Sequence, residues 1–170
     1  MPDNAETDGQ STTPLVSVAG GHALVRLNRP REHNRLEPDD LAVLRETFTR
    51  IDNDQSIRAL VLTGTGISFS SGYHIGALAD RLAGKNPARE EGNAFERMVD
   101  RLEGLRVPTV AALNGSVYGG ATDLALACDF RIGVELIEID ARAEFLELEH
   151  RWNIRTAHVP DAQAPTGSRQ

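Results

Sequence analysis

Two glycine-containing segments could bind the oxygen of a carbonyl group through their backbone amides. Residues 69–75 follow the apolar run 59–63, and residues 114–123 follow the apolar run 107–113. Glycine lets the main chain approach a ligand closely, and a helix that begins nearby leaves its first N–H groups unpaired. Two such N–H groups directed at one oxygen form an oxyanion hole, which stabilises negative charge on that oxygen. The two segments therefore predict a site built from main-chain donors.

Asp123 is the first candidate for a proton-transferring group beside these segments. It lies three residues after Gly120, and an apolar environment could raise the pKa of its carboxyl toward neutral pH. A carboxylate in the first turn of a helix also has a structural explanation, because it stabilises the positive end of the helix dipole. His74 could titrate near neutral pH and assist proton transfer, or hydrogen-bond within its loop. Both alternatives stay open for each residue.

The chain contains four segments in a fixed order, at residues 27–34, 69–75, 114–123 and 124–132. Their order and rough spacing resemble the crotonase family of enoyl-CoA hydratases and isomerases, and the resemblance covers about residues 16–134. It implies an α/β fold in the form of a crotonase-like spiral of β-β-α repeats. The chain diverges from the family after residue 134, so we expect a C-terminally shortened version of that fold.

The resemblance also implies roles for individual residues. The backbone amides of Tyr73 and Gly120 would be the two donors of the oxyanion hole, and Asp123 stands where the hydratases carry their first catalytic glutamate. Glu144 matches the second glutamate only in rough spacing, and a solvated helix carboxylate is the alternative explanation. The remaining residues that would line the acyl-CoA site are Arg29, Arg31, Asn34, Gly72, His74, Ile75 and Gly119.

The implied function is that of an acyl-CoA thioester enzyme of the enoyl-CoA hydratase/isomerase type. It would stabilise a thioester enolate in the backbone oxyanion hole, with CoA as the carrier part of the substrate and no separate cofactor. Hydration and double-bond isomerisation both fit this chemistry. The alternative is a non-catalytic acyl-CoA-binding or interaction protein derived from a shortened crotonase fold. Turnover of a short enoyl-CoA would favour the enzyme, and binding without turnover would favour the alternative.

Composition narrows the class of protein. The chain has 170 residues, of which 40% are hydrophobic, and its formal net charge is −7. We therefore expect one globular domain that does not bind nucleic acid, because nucleic-acid surfaces need clustered Lys and Arg. No apolar run approaches the ~20 residues needed to span a bilayer, so a membrane role is not expected. The histidines and the single cysteine, Cys128, lack metal-ligand spacing, which predicts no metal site.

Periodicity and composition divide the chain into four parts. Residues 1–13 are predicted to form a disordered leader, 14–134 the spiral core, 135–158 a divergent and partly helical segment, and 159–170 a disordered tail. The leader does not resemble a secretory signal, so we expect a cytoplasmic protein. The chain diverges from the family in the part where terminal helices would cover the core, so we expect self-association into a homo-oligomer or binding of a partner, and the resemblance implies a trimer.

Local patterns predict the elements of the core. Alternating apolar residues around Gly20 and Gly21 predict a hairpin over residues 15–27. Apolar residues at helical spacing predict a helix that begins at Pro38 and another around residues 95–102, with a short helix over 75–82. The apolar runs 57–63 and 107–113 predict buried strands. Strands that alternate with helices predict an α/β architecture.

Overall fold

The computed structural model describes residues 12–73, 89–134, 139–140 and 154–156. Within these ranges the strands are β1 (Leu15–Ala19), β2 (His22–Leu27), β3 (Ala59–Gly64), β4 (Ser68–Ser70), β5 (Thr109–Leu113), β6 (Ser116–Tyr118), β7 (Phe130–Gly133), β8 (Ile139–Asp140) and β9 (Ile154–Thr156). The helices are α1 (Pro38–Asn53), α2 (Arg89–Glu103) and α3 (Ala121–Ala127). A short 3₁₀ turn, Pro30–Glu32, precedes α1.

The strands form two sheets that are built by a repeated unit. The larger sheet has six strands in the order β1-β2-β3-β5-β7-β9, and the smaller has three in the order β4-β6-β8. Each of the successive pairs β3/β4, β5/β6 and β7/β8 supplies one strand to each sheet. Neighbouring strands are parallel except for β1 and β2, so most connections must cross over, and α2 and α3 lie in two of these connections. This repetition confirms the predicted α/β spiral of β-β-α units.

The hairpin and the start of α1 follow from local sequence as predicted. Gly20 and Gly21 have φ angles of +57° and +79°, which suit the tight turn between β1 and β2. Helix α1 begins at Pro38, whose fixed φ suits the first helical position. The Asp40 carboxylate accepts a hydrogen bond from the Glu37 N–H at 2.9 Å and so caps this end of the helix.

One face of the six-stranded sheet packs with the helices into a single hydrophobic cluster. Every second residue of β2, β3 and β5 is buried, which is the period expected for strands covered on one face. Helix α1 adds Leu44, Phe48 and Ile51 to this cluster, and α2 adds Met98 and Leu102. Phe69 of β4 and Val117 of β6 belong to the same cluster, so the smaller sheet is anchored in this core.

Some elements differ from the expectations. The strands predicted over 57–63 and 107–113 begin two residues later, at Ala59 and Thr109; in the first case the Ile57 N–H is bonded to the Asp54 carbonyl in a turn. Strands β4 and β6 have three residues each, too few to show a period in the sequence. In the segment 135–158 the structure describes only the strands β8 and β9. The helix predicted over 75–82, the leader up to residue 11 and the tail 159–170 lie outside the described residues.

Candidate functional site

The two predicted donor segments meet at the carboxyl ends of β4 and β6. These strands are parallel neighbours, with Ser68 beside Ser116. Gly72 has a φ of +87°, and a Cβ at this position would lie 2.7 Å from the Tyr118 carbonyl oxygen and 2.9 Å from the Gly120 nitrogen. Real Cβ atoms essentially never show contacts below 3.0 Å. The two turns are therefore in direct backbone contact, and only glycine fits between them.

Backbone hydrogen bonds orient the amide of Tyr73. The Gly72 carbonyl oxygen accepts a hydrogen bond from the Leu36 N–H at 2.9 Å. In a planar trans peptide the N–H of the next residue points opposite to that carbonyl. The Tyr73 N–H therefore points away from the Leu36 segment.

The amide of Gly120 lies where α3 begins. Gly120 is the N-cap residue of this helix, so its N–H is outside the helical hydrogen-bond pattern. No acceptor for this N–H occurs among residues 12–73 and 89–134. Its nitrogen also lies next to Gly72, as described above. The position leaves the Gly120 amide able to donate to a ligand.

Asp123 lies in the first turn of α3 and is half-buried. Burial raises the pKa of its carboxyl above the ordinary value of 3.8. Within the described part of the chain, its carboxylate has no hydrogen-bond or ion-pair partner. A half-buried carboxylate with a raised pKa is suited to proton transfer.

The Phe95 side chain covers both donor segments. The sequence pattern predicts Phe95 only as part of the apolar face of a helix. Phe95 of α2 stacks on the Tyr73 ring, with 5.7 Å between the ring centroids and 27° between the ring planes. A Cβ at Gly120 would lie 3.0 Å from the Phe95 ring. Phe95 thus forms an apolar wall over the place where the turns meet. Its helical spacing alone could not distinguish it from a core residue.

The loop before α1 is held against β4 by Asn34. His33 and Asn34 have φ angles of +51° and +54°, a conformation that non-glycine residues rarely adopt. The buried Asn34 side chain donates to the Ser68 and Thr65 carbonyl oxygens at 2.8 and 2.9 Å. Its oxygen accepts from the Arg29 N–H at 3.0 Å. The amide group of Asn34 is therefore used to hold the loop.

The two arginines of this loop differ in their surroundings. The Arg29 guanidinium forms an ion pair with the buried Asp40 carboxylate, with 2.9 Å between Nε and Oδ2. The hydrogen bond that the Arg29 guanidinium donates to the Asp40 carboxylate raises the pKa of Arg29 above its usual value. Arg31 is exposed. Of the two, Arg31 has the side chain that is more accessible to a ligand from solvent.

The other predicted site residues are only partly described. Gly119 is exposed and has a φ of +53°. His74, Ile75 and Glu144 lie outside the described residues. Among the described side chains, no group of three His, Cys, Asp or Glu could hold a metal ion. The described helices include none that is both long and apolar enough to cross a membrane.

Comparison with known proteins decides the family. A sequence profile for enoyl-CoA hydratase/isomerase matches residues 18–141, which is more than half of the chain. The chain belongs to the enoyl-CoA hydratase/isomerase family. The predicted resemblance is confirmed.

The chain matches individual members of the enoyl-CoA hydratase/isomerase family over about half of their length. The crotonyl-CoA hydratase of Syntrophomonas wolfei is 34% identical over 111 residues, which are 65% of this chain and 42% of the relative. The short-chain-enoyl-CoA hydratase of Clostridium acetobutylicum is 35% identical over 119 residues, which are 69% of this chain and 45% of the relative. The chain thus spans about half the length of the relatives it matches.

Solved structures of the same family confirm the crotonase fold. An enoyl-CoA hydratase from Bacillus anthracis superimposes with a TM-score of 0.66 and 34% identity, covering 75% of this chain and 49% of the other. An enoyl-CoA hydratase/isomerase from Mycobacterium paratuberculosis gives a TM-score of 0.68 at 28% identity, covering 76% and 52%. The β-β-α spiral is therefore the fold of this family.

Proposed function

We propose that the chain acts on acyl-CoA thioesters, as an enzyme of the hydratase/isomerase type, through an oxyanion hole made by the amides of Tyr73 and Gly120. The backbone contact between Gly72 and Gly120 carries this proposal, because it brings the two donor turns together. CoA is then the carrier part of the substrate, and the reaction needs no separate cofactor. Family membership supports the class of substrate.

The hole has a defined role in the proposed reaction. Removal of a proton next to a thioester carbonyl moves negative charge onto the carbonyl oxygen. Two N–H donors that are already in place stabilise this enolate, and loss of one such donor typically costs ~3–4 kcal/mol in the transition state. The aromatic wall of Phe95 over Gly120 excludes water from this side, which strengthens the interaction.

Asp123 is the proposed acid/base. Its position in the first turn of α3 places it close in sequence to the donor Gly120, and its raised pKa brings proton exchange closer to working pH. We propose Glu144 as a second carboxylate and Arg31, His74, Ile75 and Gly119 as residues along the acyl-CoA. The proposed assembly is a homo-oligomer, for which the exposed side chains of β7 provide an apolar surface.

A screen of acyl-CoA thioesters by mass spectrometry tests the proposal. The chain should consume a short enoyl-CoA and give a product whose mass distinguishes hydration from isomerisation. Gly120→Val is the test variant, because a Cβ at this position would already lie 3.0 Å from the Phe95 ring. This variant should abolish turnover. Binding without turnover by the unmodified chain would support a non-catalytic acyl-CoA-binding protein. Equal turnover by a folded Gly120→Val variant would exclude the proposed hole.

A further inference from the structure

Ser70, the last residue of β4, links the loop before α1 to the turn that carries Tyr73. Its side chain is completely buried. The hydroxyl donates a hydrogen bond to the Asn34 carbonyl oxygen at 2.8 Å and accepts one from the Gly72 N–H at 3.0 Å. Both partners are main-chain groups. Ser70 is thus positioned to control the conformation of the backbone at Gly72.

Two successive peptide planes flank Gly72, and each is fixed by a different hydrogen bond. The plane that ends in the Gly72 N–H is held by the Ser70 hydroxyl. The plane that begins with the Gly72 carbonyl is held by the Leu36 N–H. Because peptide groups are planar, fixing both planes fixes φ and ψ at Gly72. Glycine would otherwise be the residue with the most freedom to rotate at this point.

The acceptor of the Ser70 hydroxyl is itself held rigidly. The Asn34 side chain bonds to the Ser68 carbonyl, within the same strand as Ser70. The neighbouring Ser71 N–H donates to the His33 carbonyl at 2.7 Å. The loop and the strand are therefore joined by several bonds that do not involve the Ser70 hydroxyl, so its removal leaves this attachment in place.

We infer that Ser70 is a positioning residue, which aims the Tyr73 amide by fixing the peptide plane before Gly72. This inference rests on the proposed function of the Tyr73 amide. Rotation of the Gly72 N–H would alter the close approach of this turn to the Gly120 nitrogen, which would lie 2.9 Å from a Cβ placed at Gly72. Displacements of about 1 Å at a reacting group can cost ~10²-fold in rate.

The experiment compares three variants in the full chain. Ser70→Ala removes the hydroxyl, Ser70→Cys keeps a weaker donor and acceptor of similar size, and Ser71→Ala is the matched control. The Ser71 hydroxyl donates to the same loop, at the Glu32 carbonyl, whereas the hydrogen bond of the Gly72 N–H goes to the Ser70 hydroxyl. With crotonyl-CoA as the probe, Ser70→Ala should lower kcat about 10- to 100-fold with little change in KM. Ser70→Cys should be intermediate, and Ser71→Ala should match the unmodified chain.

A second readout does not depend on turnover. Amide hydrogen exchange measured by NMR should become about tenfold faster or more at Gly72 in Ser70→Ala, because that N–H loses its acceptor. The Tyr73 amide resonance should shift in Ser70→Ala and remain in place in Ser71→Ala. If Ser70→Ala does not fold, Ser70→Cys decides the same comparison.

The outcomes separate the inference from the proposed function. An unmodified chain that neither binds nor converts any acyl-CoA would refute the proposed function, while the exchange rates would still show whether Ser70 fixes Gly72. Equal exchange at Gly72 and an unmoved Tyr73 resonance in Ser70→Ala would overturn the inference. Faster exchange at Gly72 with full kcat would overturn it as well, because the amide would then need no such positioning.

Discussion

Replacing Gly72 by alanine tests the contact on which the candidate site depends. The added methyl group meets two obstacles, the positive φ of +87° and two backbone atoms at 2.7 and 2.9 Å. Neither the Tyr118 carbonyl nor the Gly120 nitrogen can move without moving its own turn. Gly66 provides a matched control. It has a φ of +82°, but its nearest neighbour is the Pro30 side chain at 3.2 Å.

The expected loss of stability is the sum of a conformational cost and a steric cost. A left-handed conformation costs alanine about 1–2 kcal/mol, and the steric overlap adds about 1–3 kcal/mol. Gly72→Ala should therefore lower the free energy of unfolding by about 2–5 kcal/mol, against about 1–2 kcal/mol for Gly66→Ala. Chemical denaturation of both variants with the same probe measures the difference. An equal loss in the two variants would contradict the close approach at Gly72.

Activity should respond more sharply than stability. Relief of the overlap must separate the turns that carry Tyr73 and Gly120, which misplaces one donor of the proposed hole. Turnover of a short enoyl-CoA should then fall ~10²–10³-fold in Gly72→Ala and stay close to that of the unmodified chain in Gly66→Ala. Full turnover by a folded Gly72→Ala variant would refute the reasoning.

Three further predictions concern acid/base chemistry, the loop and assembly. Asp123→Asn should lower turnover ~10²–10⁴-fold but raise the unfolding temperature at neutral pH. Burial raises the pKa of the Asp123 carboxyl in the folded chain, so the stability that its protonated form contributes is present below pH 3.8 and is lost as pH rises through the folded pKa. Equal unfolding temperatures of Asp123→Asn and the unmodified chain from below pH 3.8 to neutral pH would contradict this prediction. Arg29→Met removes the cationic partner of the buried Asp40 carboxylate and should lower the free energy of unfolding by about 2 kcal/mol. Arg31→Met, at an exposed position, should change the free energy of unfolding by less than about 0.5 kcal/mol in the same denaturation assay. The side chain of Phe130 is 59% exposed on β7, so light scattering over a dilution series should show self-association that Phe130→Ser weakens; a monomer at every micromolar concentration would contradict this.

The sequence by itself determined the family and most of the larger elements. The hairpin at Gly20 and Gly21 and the start of α1 at Pro38 depend on local conformational preferences, which a single sequence carries directly. The glycine-containing segments and their order can also be recognised in the sequence, because each segment forms a local turn. These features could be predicted because neighbouring residues decide them.

Only the tertiary structure decided which of these residues meet. The contact between Gly72 and Gly120 depends on the parallel pairing of β4 and β6, strands too short to leave a periodic pattern. Packing of the loop before α1 against β4 gives the Asn34 side chain its inward hydrogen bond and gives Ser70 the Asn34 carbonyl as a partner. Side chains such as these look like ordinary polar loop residues in the sequence. Their roles arise from long-range packing, which local preferences do not encode.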